Sequence, residues 1–359
     1  MYIKKIKLIN FRNYIEQELE FSRNINIIYG DNAQGKTNIL EAIFLCALGK
    51  SYRAKKEKEL INFEKENAHV EINYIKEDRE GTIELELNQN KTFFINGIKQ
   101  KKISDIIGKV NIVIFTPDDI EIIKDGPQKR RKFLDVMISG IKPNYLYLLS
   151  NYLKVLEQRN LYLKQIKFEN KPEELLDIWD EKLSELDNKI FEYRKYYIQK
   201  INEKIKDIHK YITKCGKENG FEEISIKYLS NADTKEKYYE NLKKSRKLDI
   251  NRGITSVGIH RDDFSILIDG KNTSIYGSQG QQRTAILSLK MSELEIIYDE
   301  IGERPILLLD DFMSELDEGR RNSLLTGIKE NQVIITCTDK IDINSEKIYK
   351  IENGIAKEG

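Results

Sequence analysis

The chain has 359 residues, of which 40% are hydrophobic and 33% are charged, enough for one large or two ordinary domains with a highly charged surface. No apolar run approaches the roughly 20 residues of a membrane span, and the first residues lack the apolar core of a signal peptide. We therefore expect a cytoplasmic protein. Because the formal net charge is only +1, any surface for nucleic acid must be a local basic patch.

A glycine-rich loop near the N-terminus lies between a buried strand and a helix. Ile25–Tyr29 has the apolar character of the strand, and apolar residues recur at helical spacing over Ile39–Ala47. The intervening residues match the P-loop pattern G-x-x-x-x-G-K-T, whose backbone N–H groups and helix N-terminus suit a phosphate. We expect Lys36 to reach the β- and γ-phosphates of ATP, and the Thr37 hydroxyl to hold Mg²⁺. The predicted nucleotide-binding residues are Gly30, Asp31, Asn32, Ala33, Gln34, Gly35, Lys36 and Thr37.

The composition divides the chain into three parts. Residues 1–117 alternate strands and turns around the P-loop helix, with a hairpin near Ile83–Ile95 and a buried strand over Val110–Phe115. Residues 118–250 are rich in Lys, Glu, Leu and Tyr and predict long helices over Tyr145–Lys167 and Pro172–Lys214. Strand patterns return in residues 251–359, so we predict one α/β ATPase domain that is split by a mainly helical insertion. Cys46, Cys215 and Cys337 are too far apart in sequence to suggest a disulfide or a metal site.

A second strand ends in two acidic residues. Ile306–Leu309 is apolar and is followed directly by Asp310 and Asp311, the pattern of a Walker B strand. We expect Asp310 to lie beside the P-loop and to hold the Mg²⁺ shell together with Thr37, partly through water. Asp311 is then placed to orient or deprotonate the attacking water.

A small glycine-containing turn is predicted over Ser278–Arg283, and it leads into an amphipathic helix pattern from Thr284. It offers a second helix N-terminus for phosphate, although an ordinary helix N-cap at Ser278 is the simpler interpretation when the segment is considered alone. The order of P-loop, this segment, Walker B and Ser314–Asp317 is that of ABC-type ATPases, in which such a signature caps the nucleotide of another subunit. We therefore predict that Ser278 and Arg283 join Lys36, Asp310 and Asp311 as catalytic residues.

These residues, with others along nearly the whole chain, resemble the RecF family of bacterial DNA replication and repair proteins. The most specific stretch is Pro117–Asp135, and the remaining matches are Leu8–Tyr14, Gly30–Asn38, Gly49–Arg53, Gly258–Asp263, Ser278–Arg283 and Asp310–Asp317. The resemblance implies an SMC-like ABC-type ATPase head that dimerises around two ATP molecules. It also implies binding of double-stranded DNA near single-strand gaps and cooperation with RecR and RecO in loading RecA.

Several positions depart from the broader pattern. Ala33 replaces the usual P-loop glycine, a mild change if its backbone angles are ordinary. Asp311 stands where transporters have glutamate, and Thr338 or Cys337 where they have the switch histidine. These two changes suggest slow hydrolysis. For His260 the sequence leaves a role at the subunit interface or the nucleotide site and a role in a salt-bridged turn equally open.

Two basic segments are candidates for DNA binding. The first comprises Lys50, Arg53, Lys55 and Lys56, and the second Lys129, Arg130, Arg131 and Lys132. A charge run is often only a solvated helix face, and Arg130 and Arg131 could serve the fold instead. Two other functions stay open on the sequence alone, namely a non-hydrolysing nucleotide-binding scaffold and the ATPase subunit of a membrane transporter.

Overall fold

The computed structural model describes residues 1–214, 222–340 and 345–359. Within these ranges, the strands are β1 (Tyr2–Phe11), β2 (Tyr14–Glu20), β3 (Ile25–Tyr29), β4 (Ala68–Lys76), β5 (Arg79–Leu87), β6 (Lys91–Ile95), β7 (Ile98–Lys99), β8 (Ile112–Phe115), β9 (Ile224–Leu229), β10 (Asp263–Ile268), β11 (Lys271–Asn272), β12 (Ile306–Asp310), β13 (Val333–Cys337), β14 (Lys347–Glu352) and β15 (Ile355–Glu358). The α-helices are α1 (Lys36–Leu48), α2 (Glu121–Lys124), α3 (Pro127–Ile141), α4 (Pro143–Glu169), α5 (Leu176–Lys214), α6 (Lys235–Arg252), α7 (Thr273–Tyr276), α8 (Gln279–Ile301) and α9 (Glu318–Gly327).

The chain forms two compact units. The first comprises Met1–Asp119, Leu287–Gly359 and a short stretch that begins at Asp207. The second comprises Ile120–Lys206 and Glu222–Ile286. Two long helices, α5 and α8, contain the points at which the chain passes from one unit to the other.

The first unit contains two sheets. One is antiparallel, with strand order β2-β1-β4-β5-β6-β7, and the other has the order β15-β14-β3-β13-β12-β8. In the second sheet the neighbouring strands β3, β13, β12 and β8, of which β8 is at the edge, are parallel, and their residues are almost continuously apolar, as expected for strands buried on both faces. Because neighbouring parallel strands end at the same edge, the residues after β3, β12 and β13 lie close together.

Helix α1 contacts strands of both sheets in the first unit. Its residues Ile39, Leu40, Ile43 and Leu45 are fully buried, and they belong to one core cluster that also contains Ile6 and Leu308. Burial on several sides explains why α1 is apolar around most of its circumference. The core therefore fixes the N-terminus of α1, where the P-loop ends, relative to the carboxyl ends of the parallel strands.

The second unit combines helices with a three-stranded antiparallel sheet of order β11-β10-β9. Three of its helices are joined by a buried ion-pair network. Arg159 of α4 donates to Asp180 of α5 at 2.7 Å and to Asp249 of α6 at 2.8 Å, and all three side chains are fully buried. Such a network leaves little freedom for one helix to slide past another, because any shift would bury an unpaired charge.

The main predicted elements are present. The P-loop strand and helix, the hairpin of β5 and β6, the long helices α4 and α5, and the Walker B strand all form. The compact units nevertheless differ from the predicted limits after residue 250, because the second unit extends to Ile286. The reason is that β10 pairs with β9, with Phe264 opposite Tyr228, so residues beyond 250 complete a sheet of the insertion. Cys46 and Cys337 are buried, and Cys215 lies outside the described residues.

Candidate functional site

At two positions the backbone of the P-loop has angles that favour glycine. Gly30 has φ 151° and Gly35 has φ 112°, both in the region that side chains rarely adopt. A Cβ atom at Gly30 would lie 2.4 Å from the Ile351 carbonyl oxygen, and one at Gly35 would lie 2.4 Å from the Asn13 amide nitrogen. The chain thus approaches itself so closely around the loop that neither glycine can be replaced without moving the backbone.

Lys36, the first residue of α1, is buried. Its ammonium group donates to the carbonyl oxygens of Gly30 at 2.6 Å and of Asp31 at 3.0 Å. The side chain therefore spans the loop from one end to the other. The cation is already positioned over the P-loop, the place where a phosphate group would need it.

Ala33 does not have the ordinary backbone angles on which a mild substitution depends. Its φ is 66°, in the left-handed region, where a Cβ atom crowds the following carbonyl. The condition under which alanine would be a mild replacement for glycine is therefore not met. The loop keeps its shape at Ala33 at a cost of about 1 kcal/mol.

The Walker B carboxylate lies next to the P-loop threonine. Asp310 ends β12, and its Oδ1 accepts from the Thr37 hydroxyl at 2.8 Å and from the Thr336 hydroxyl at 2.9 Å. Its Oδ2 accepts from the Tyr52 hydroxyl at 3.1 Å. Burial raises the pKa of Asp310, whereas these hydroxyl donors act to lower it. Hydroxyl and carboxylate oxygens at one point are the ligand types that Mg²⁺ takes beside a bound phosphate, so the pair fits that ion.

Asp311 follows with left-handed backbone angles, φ 49° and ψ 12°. Its N–H donates to the Thr336 hydroxyl at 3.0 Å, and its carbonyl accepts from the Ser314 hydroxyl at 2.6 Å. The chain therefore turns sharply between the two aspartates. The turn leaves the Asp311 carboxylate half-buried, while Asp310 is buried.

A cavity of about 570 Å³ opens beside the P-loop in the first unit. It is lined by Gly30, Asp31 and Gln34 of the loop, by residues 338–340 after β13, and by residues 350–353 of β14 and the turn that follows. Thr338, one of the two candidates for the switch position, is exposed at this cavity, whereas Cys337 is buried at the end of β13. Only Thr338 can therefore face a molecule bound there.

The segment from Ser278 differs from its predicted local structure. Helix α8 already begins at Gln279, so Gln279–Arg283 is helical and not a turn. Ser278 N–H donates to the Gln281 side chain at 2.8 Å, and Gln281 N–H donates to the Ser278 hydroxyl at 3.2 Å. This reciprocal pair is a capping box. Ser278 and Arg283 are both exposed and lie in the second unit, whereas Lys36, Asp310 and Asp311 lie in the first.

The two basic segments have different environments. Lys50, Arg53, Lys55 and Lys56 are all exposed. In the other segment Lys129 and Lys132 are exposed, but Arg130 is 12% exposed and donates to both carboxylate oxygens of Asp263, at 2.6 and 3.0 Å. Arg131 donates to the Asp262 carbonyl at 2.7 Å, and burial lowers its pKa. Arg130 and Arg131 thus make the fold contacts that the sequence left open as an alternative to DNA binding.

His260 is held by two hydrogen bonds within the second unit. Its Nδ1 lies 2.6 Å from the Tyr152 hydroxyl, and its Nε2 lies 3.1 Å from the Thr255 carbonyl oxygen. These partners place the proton on Nε2 and make Tyr152 the donor to Nδ1. Burial lowers the pKa of His260 to about 4. The imidazole is therefore neutral at pH 7, as a structural residue of the turn requires.

Several residues that contact the P-loop or its helix were not predicted from the individual sequence motifs. Asn13, in the turn between β1 and β2, donates to the Gln34 carbonyl at 2.8 Å and accepts from the Asn38 side chain at 2.8 Å. Glu41 of α1 is fully buried and accepts two hydrogen bonds from Arg12 at 2.8 and 2.9 Å. The sequence signal that could have identified Glu41 is its charge within the otherwise apolar pattern of α1.

Together, the parallel sheet, the P-loop before α1 and the Asp310–Thr37 contact define the class of the protein as an ABC-type P-loop ATPase head with an inserted subdomain. The family model described as RecF/RecN/SMC N terminal domain matches residues 2–356. The DNA replication and repair protein RecF of Clostridium acetobutylicum is 45% identical over 99% of both chains. RecF of Clostridium tetani is 44% identical, also over 99% of both chains. The chain belongs to the RecF family.

Solved structures agree with this assignment. A structure described as the recombination mediator protein RecF-ATPrS in the RecFOR pathway has a TM-score of 0.93 and 43% identity, and the match covers 99% of this chain and 98% of that one. The Smc head domain of Pyrococcus furiosus has a TM-score of 0.58 at 20% identity and shows the shared fold alone. None of the helices in the described ranges combines the length and the apolar character that crossing a membrane requires.

Proposed function

We propose that this chain is an ATP-dependent DNA-binding protein of recombinational repair and replication restart, and that it is a slow, DNA-stimulated ATPase of the cytoplasm. The observation that supports an ATPase most directly is the 2.8 Å hydrogen bond between Thr37 and Asp310. It brings the P-loop hydroxyl and the Walker B carboxylate together across 273 residues of sequence. The relatives named RecF, one of them solved as RecF-ATP, support the same function.

ATP and Mg²⁺ are the proposed cofactors. Gly30–Gly35 would surround the phosphates with backbone N–H groups, Lys36 would supply the cation, and Thr37 with Asp310 would hold Mg²⁺, directly or through water. The metal neutralises charge on the phosphate oxygens. Asp311, on the sharp turn after Asp310, would accept a proton from the attacking water or orient it. Slow turnover is consistent with two substitutions at the site. Asp311 has a side chain one methylene shorter than glutamate, and Thr338 is at the switch position.

The proposed active form is a homodimer that closes on DNA when ATP binds. The capping box shows that Ser278 stabilises its own helix, and this role is compatible with a second one, because the hydroxyl is exposed at the N-terminus of α8. Ser278 and Arg283 would then meet the γ-phosphate held by the P-loop of the partner. Hydrolysis would remove that contact and release the DNA near a gap. RecR and RecO would act with the dimer in loading RecA.

The DNA surface is proposed to include Lys50, Arg53, Lys55 and Lys56, which are all exposed in the first unit. They would contact phosphates, so that binding has little sequence preference and depends steeply on salt. Lys129 and Lys132 are secondary candidates, because Arg130 and Arg131 between them are engaged in the fold.

Sedimentation velocity with Mg²⁺ and ATP, ADP or no nucleotide tests the central proposal. The wild type is expected to dimerise with ATP only. Ser278→Arg is expected to bind ATP as a monomer and fail to dimerise, whereas Ser278→Thr, which can still cap α8, is expected to behave as the wild type. Equal loss of ATP binding and dimerisation in Ser278→Arg would contradict a role in trans and favour the helix cap alone.

A phosphate-release assay with and without duplex DNA separates the proposed ATPase from a non-hydrolysing scaffold. Phosphate release that rises with DNA is expected. A preparation that binds ATP and dimerises but releases no phosphate would favour the scaffold, and recovery in the membrane fraction would favour the transporter subunit.

A further inference from the structure

The first basic segment lies within residues 49–56. Three consecutive residues of this stretch, Ser51, Tyr52 and Arg53, connect it to the nucleotide site. The Ser51 hydroxyl donates to the Glu41 carboxylate of α1. The Tyr52 hydroxyl donates to Asp310 Oδ2 at 3.1 Å. Arg53 donates to the Asn38 side chain at 3.2 Å, and its guanidinium lies 4.0 Å from Glu41. All these residues belong to the first unit, so the segment and the P-loop helix form one connected structure.

The Tyr52 side chain makes two contacts that bear on the nucleotide site, one with Phe44 and one with Asp310. Its ring packs edge-on against Phe44 of α1, with centroids 5.1 Å apart, and its hydroxyl points to the carboxylate. Asp310 Oδ1 is already bonded by Thr37 and Thr336, so Tyr52 is the donor that holds the other oxygen. With both oxygens bonded, the carboxylate cannot rotate, and one of its acceptor sites is occupied by a phenol.

The residues directly after Tyr52 carry the exposed positive charge. Arg53, Lys55 and Lys56 are exposed, and the Lys55 N–H donates to the Glu59 side chain at 3.1 Å, which stiffens the segment. A phosphate that recruits Arg53 competes with its hydrogen bond to Asn38 and its attraction to Glu41. Because Tyr52 is the adjacent residue, a backbone shift at Arg53 would reach the Tyr52–Asp310 hydrogen bond through one peptide unit.

Resting on the proposed function, we propose that Tyr52 is a positioning residue that couples occupation of the basic segment by DNA phosphates to the affinity of Asp310 for Mg²⁺. With Tyr52 engaged, one acceptor site of Asp310 Oδ2 is occupied by the phenol and would not be open to the Mg²⁺ shell. When DNA draws Arg53 away, Tyr52 releases Oδ2, and the carboxylate can accept a water of that shell. The DNA-binding segment and the Mg²⁺ site are then coupled through Tyr52. The coupling energy is the difference in free energy between Tyr52 bonded to Asp310 and Tyr52 released from it.

A Mg²⁺ titration of nucleotide binding tests this coupling without relying on turnover. The measurement is the half-saturating Mg²⁺ concentration for binding of a fluorescent ATP analogue, with and without a blunt-ended duplex of mixed sequence. In the wild type, DNA is expected to lower this concentration by about fivefold, the low end of usual coupling between sites. Tyr52→Phe keeps the ring against Phe44 and is expected to have the lower value already, with no further change on addition of DNA.

Two controls separate this proposal from the proposed function. Tyr74→Phe removes the hydroxyl of another buried tyrosine of the same unit, which lies beside Gly81, and is expected to respond to DNA as the wild type does. Replacing Arg53, Lys55 and Lys56 by alanine is expected to abolish the DNA effect and to flatten the salt dependence of DNA binding by roughly one unit per lost contact.

If DNA lowers the half-saturating Mg²⁺ concentration of Tyr52→Phe by the same roughly fivefold factor as in the wild type, the role of Tyr52 is overturned. The proposed function is left standing by that result. A wild type that binds both the nucleotide and DNA but shows no DNA response would overturn the coupling alone, whereas a wild type that binds no nucleotide would overturn both. Unchanged DNA affinity and salt slope in the triple variant would move the DNA surface elsewhere and would also overturn the coupling.

Discussion

Replacement of Arg130 distinguishes a residue of the fold from a residue of the DNA surface. Its Nε and Nη2 donate to the two oxygens of Asp263 at 2.6 and 3.0 Å, which is a bidentate pair between α3 and β10. Its Nη1 donates to the carbonyls of Asp125 at 2.7 Å and Ile122 at 3.1 Å, near the end of α2. A longer bond joins Nη1 to the Ile123 carbonyl at 3.4 Å, so Arg130→Ala removes five hydrogen bonds and leaves a carboxylate without its cation.

The expected cost follows from the burial of the pair. The side chains of Arg130 and Asp263 are 12% and 22% exposed. Breaking a fully buried ion pair costs roughly 3–5 kcal/mol, whereas an exposed pair contributes under about 1 kcal/mol. Because water can reach the remaining carboxylate in part, we expect a loss of about 2–3 kcal/mol in the free energy of unfolding. Arg130→Lys is expected to lose about 1–2 kcal/mol, since an ammonium group cannot reproduce the planar fork.

Urea unfolding followed by circular dichroism measures these losses, with Lys129→Ala as the control at an exposed neighbouring cation. The control is expected to unfold at the urea concentration of the wild type. Fluorescence anisotropy with duplex DNA is expected to show unchanged affinity for Arg130→Lys. If Arg130→Ala retained full stability and its DNA affinity fell with a flatter salt slope, Arg130 would be a phosphate contact and the structural argument would be refuted.

Three further substitutions test single residues of the nucleotide site. Lys36→Met is expected to stay folded but to lose ATP binding, because it removes the ammonium group that is held over the P-loop by the Gly30 and Asp31 carbonyls; wild-type affinity for a fluorescent ATP analogue would contradict this. Asp311→Asn removes the base while keeping its size, and it is expected to bind ATP and remain dimeric in sedimentation; phosphate release at the normal rate would show that another group activates water. Ala33→Gly relieves the left-handed strain at φ 66° and is expected to raise the free energy of unfolding by up to about 1 kcal/mol, measured with urea; a loss of stability would show that the flexibility gained in the unfolded chain outweighs the strain.

The sequence predicts the site wherever a motif is local. The P-loop and the Walker B strand each need only a short run of residues, and their meeting at Thr37 and Asp310 follows from the rule that parallel strands end at one edge. The Tyr52–Asp310 contact spans 258 residues and has no such rule behind it. Likewise, the backbone angle of Ala33 depends on how the loop closes against distant parts of the chain. The start of α8 was mispredicted because Gly280 suggested a turn, whereas the capping box of Ser278 and Gln281 begins the helix earlier.

Asp187 and His260, a buried and a half-buried group packed at the turn around His260, have pKa values that shift in opposite directions. Asp187 of α5 is fully buried, its Oδ1 accepts from the Ile259 N–H at 2.8 Å, and burial raises the pKa of Asp187 to about 8. The same effect lowers the pKa of His260 to about 4. The hydrogen bonds with the Ile259 N–H and the Tyr152 side chain and the charge of Arg194 act to lower the pKa of Asp187, and the charge of Asp262 acts to raise it. Burial thus favours the uncharged form of both groups.

These shifts predict how the stability of the second unit changes with pH. The stabilisation from protonated Asp187 is complete below its unfolded pKa of 3.8 and is lost as pH rises towards 8, whereas that from neutral His260 is complete above 6.5 and is lost as pH falls towards 4. The two changes oppose each other between pH 4 and 6.5, so only the loss from Asp187 remains above pH 6.5. We expect the free energy of unfolding to fall by about 1–2 kcal/mol between pH 6.5 and 8, since one proton contributes up to about 1.4 kcal/mol per pH unit. Asp187→Asn keeps an acceptor for the Ile259 N–H without titrating, so urea unfolding of this variant is expected to give a flat profile over that range. Parallel profiles for the wild type and Asp187→Asn would show that Asp187 is already ionised in the folded protein.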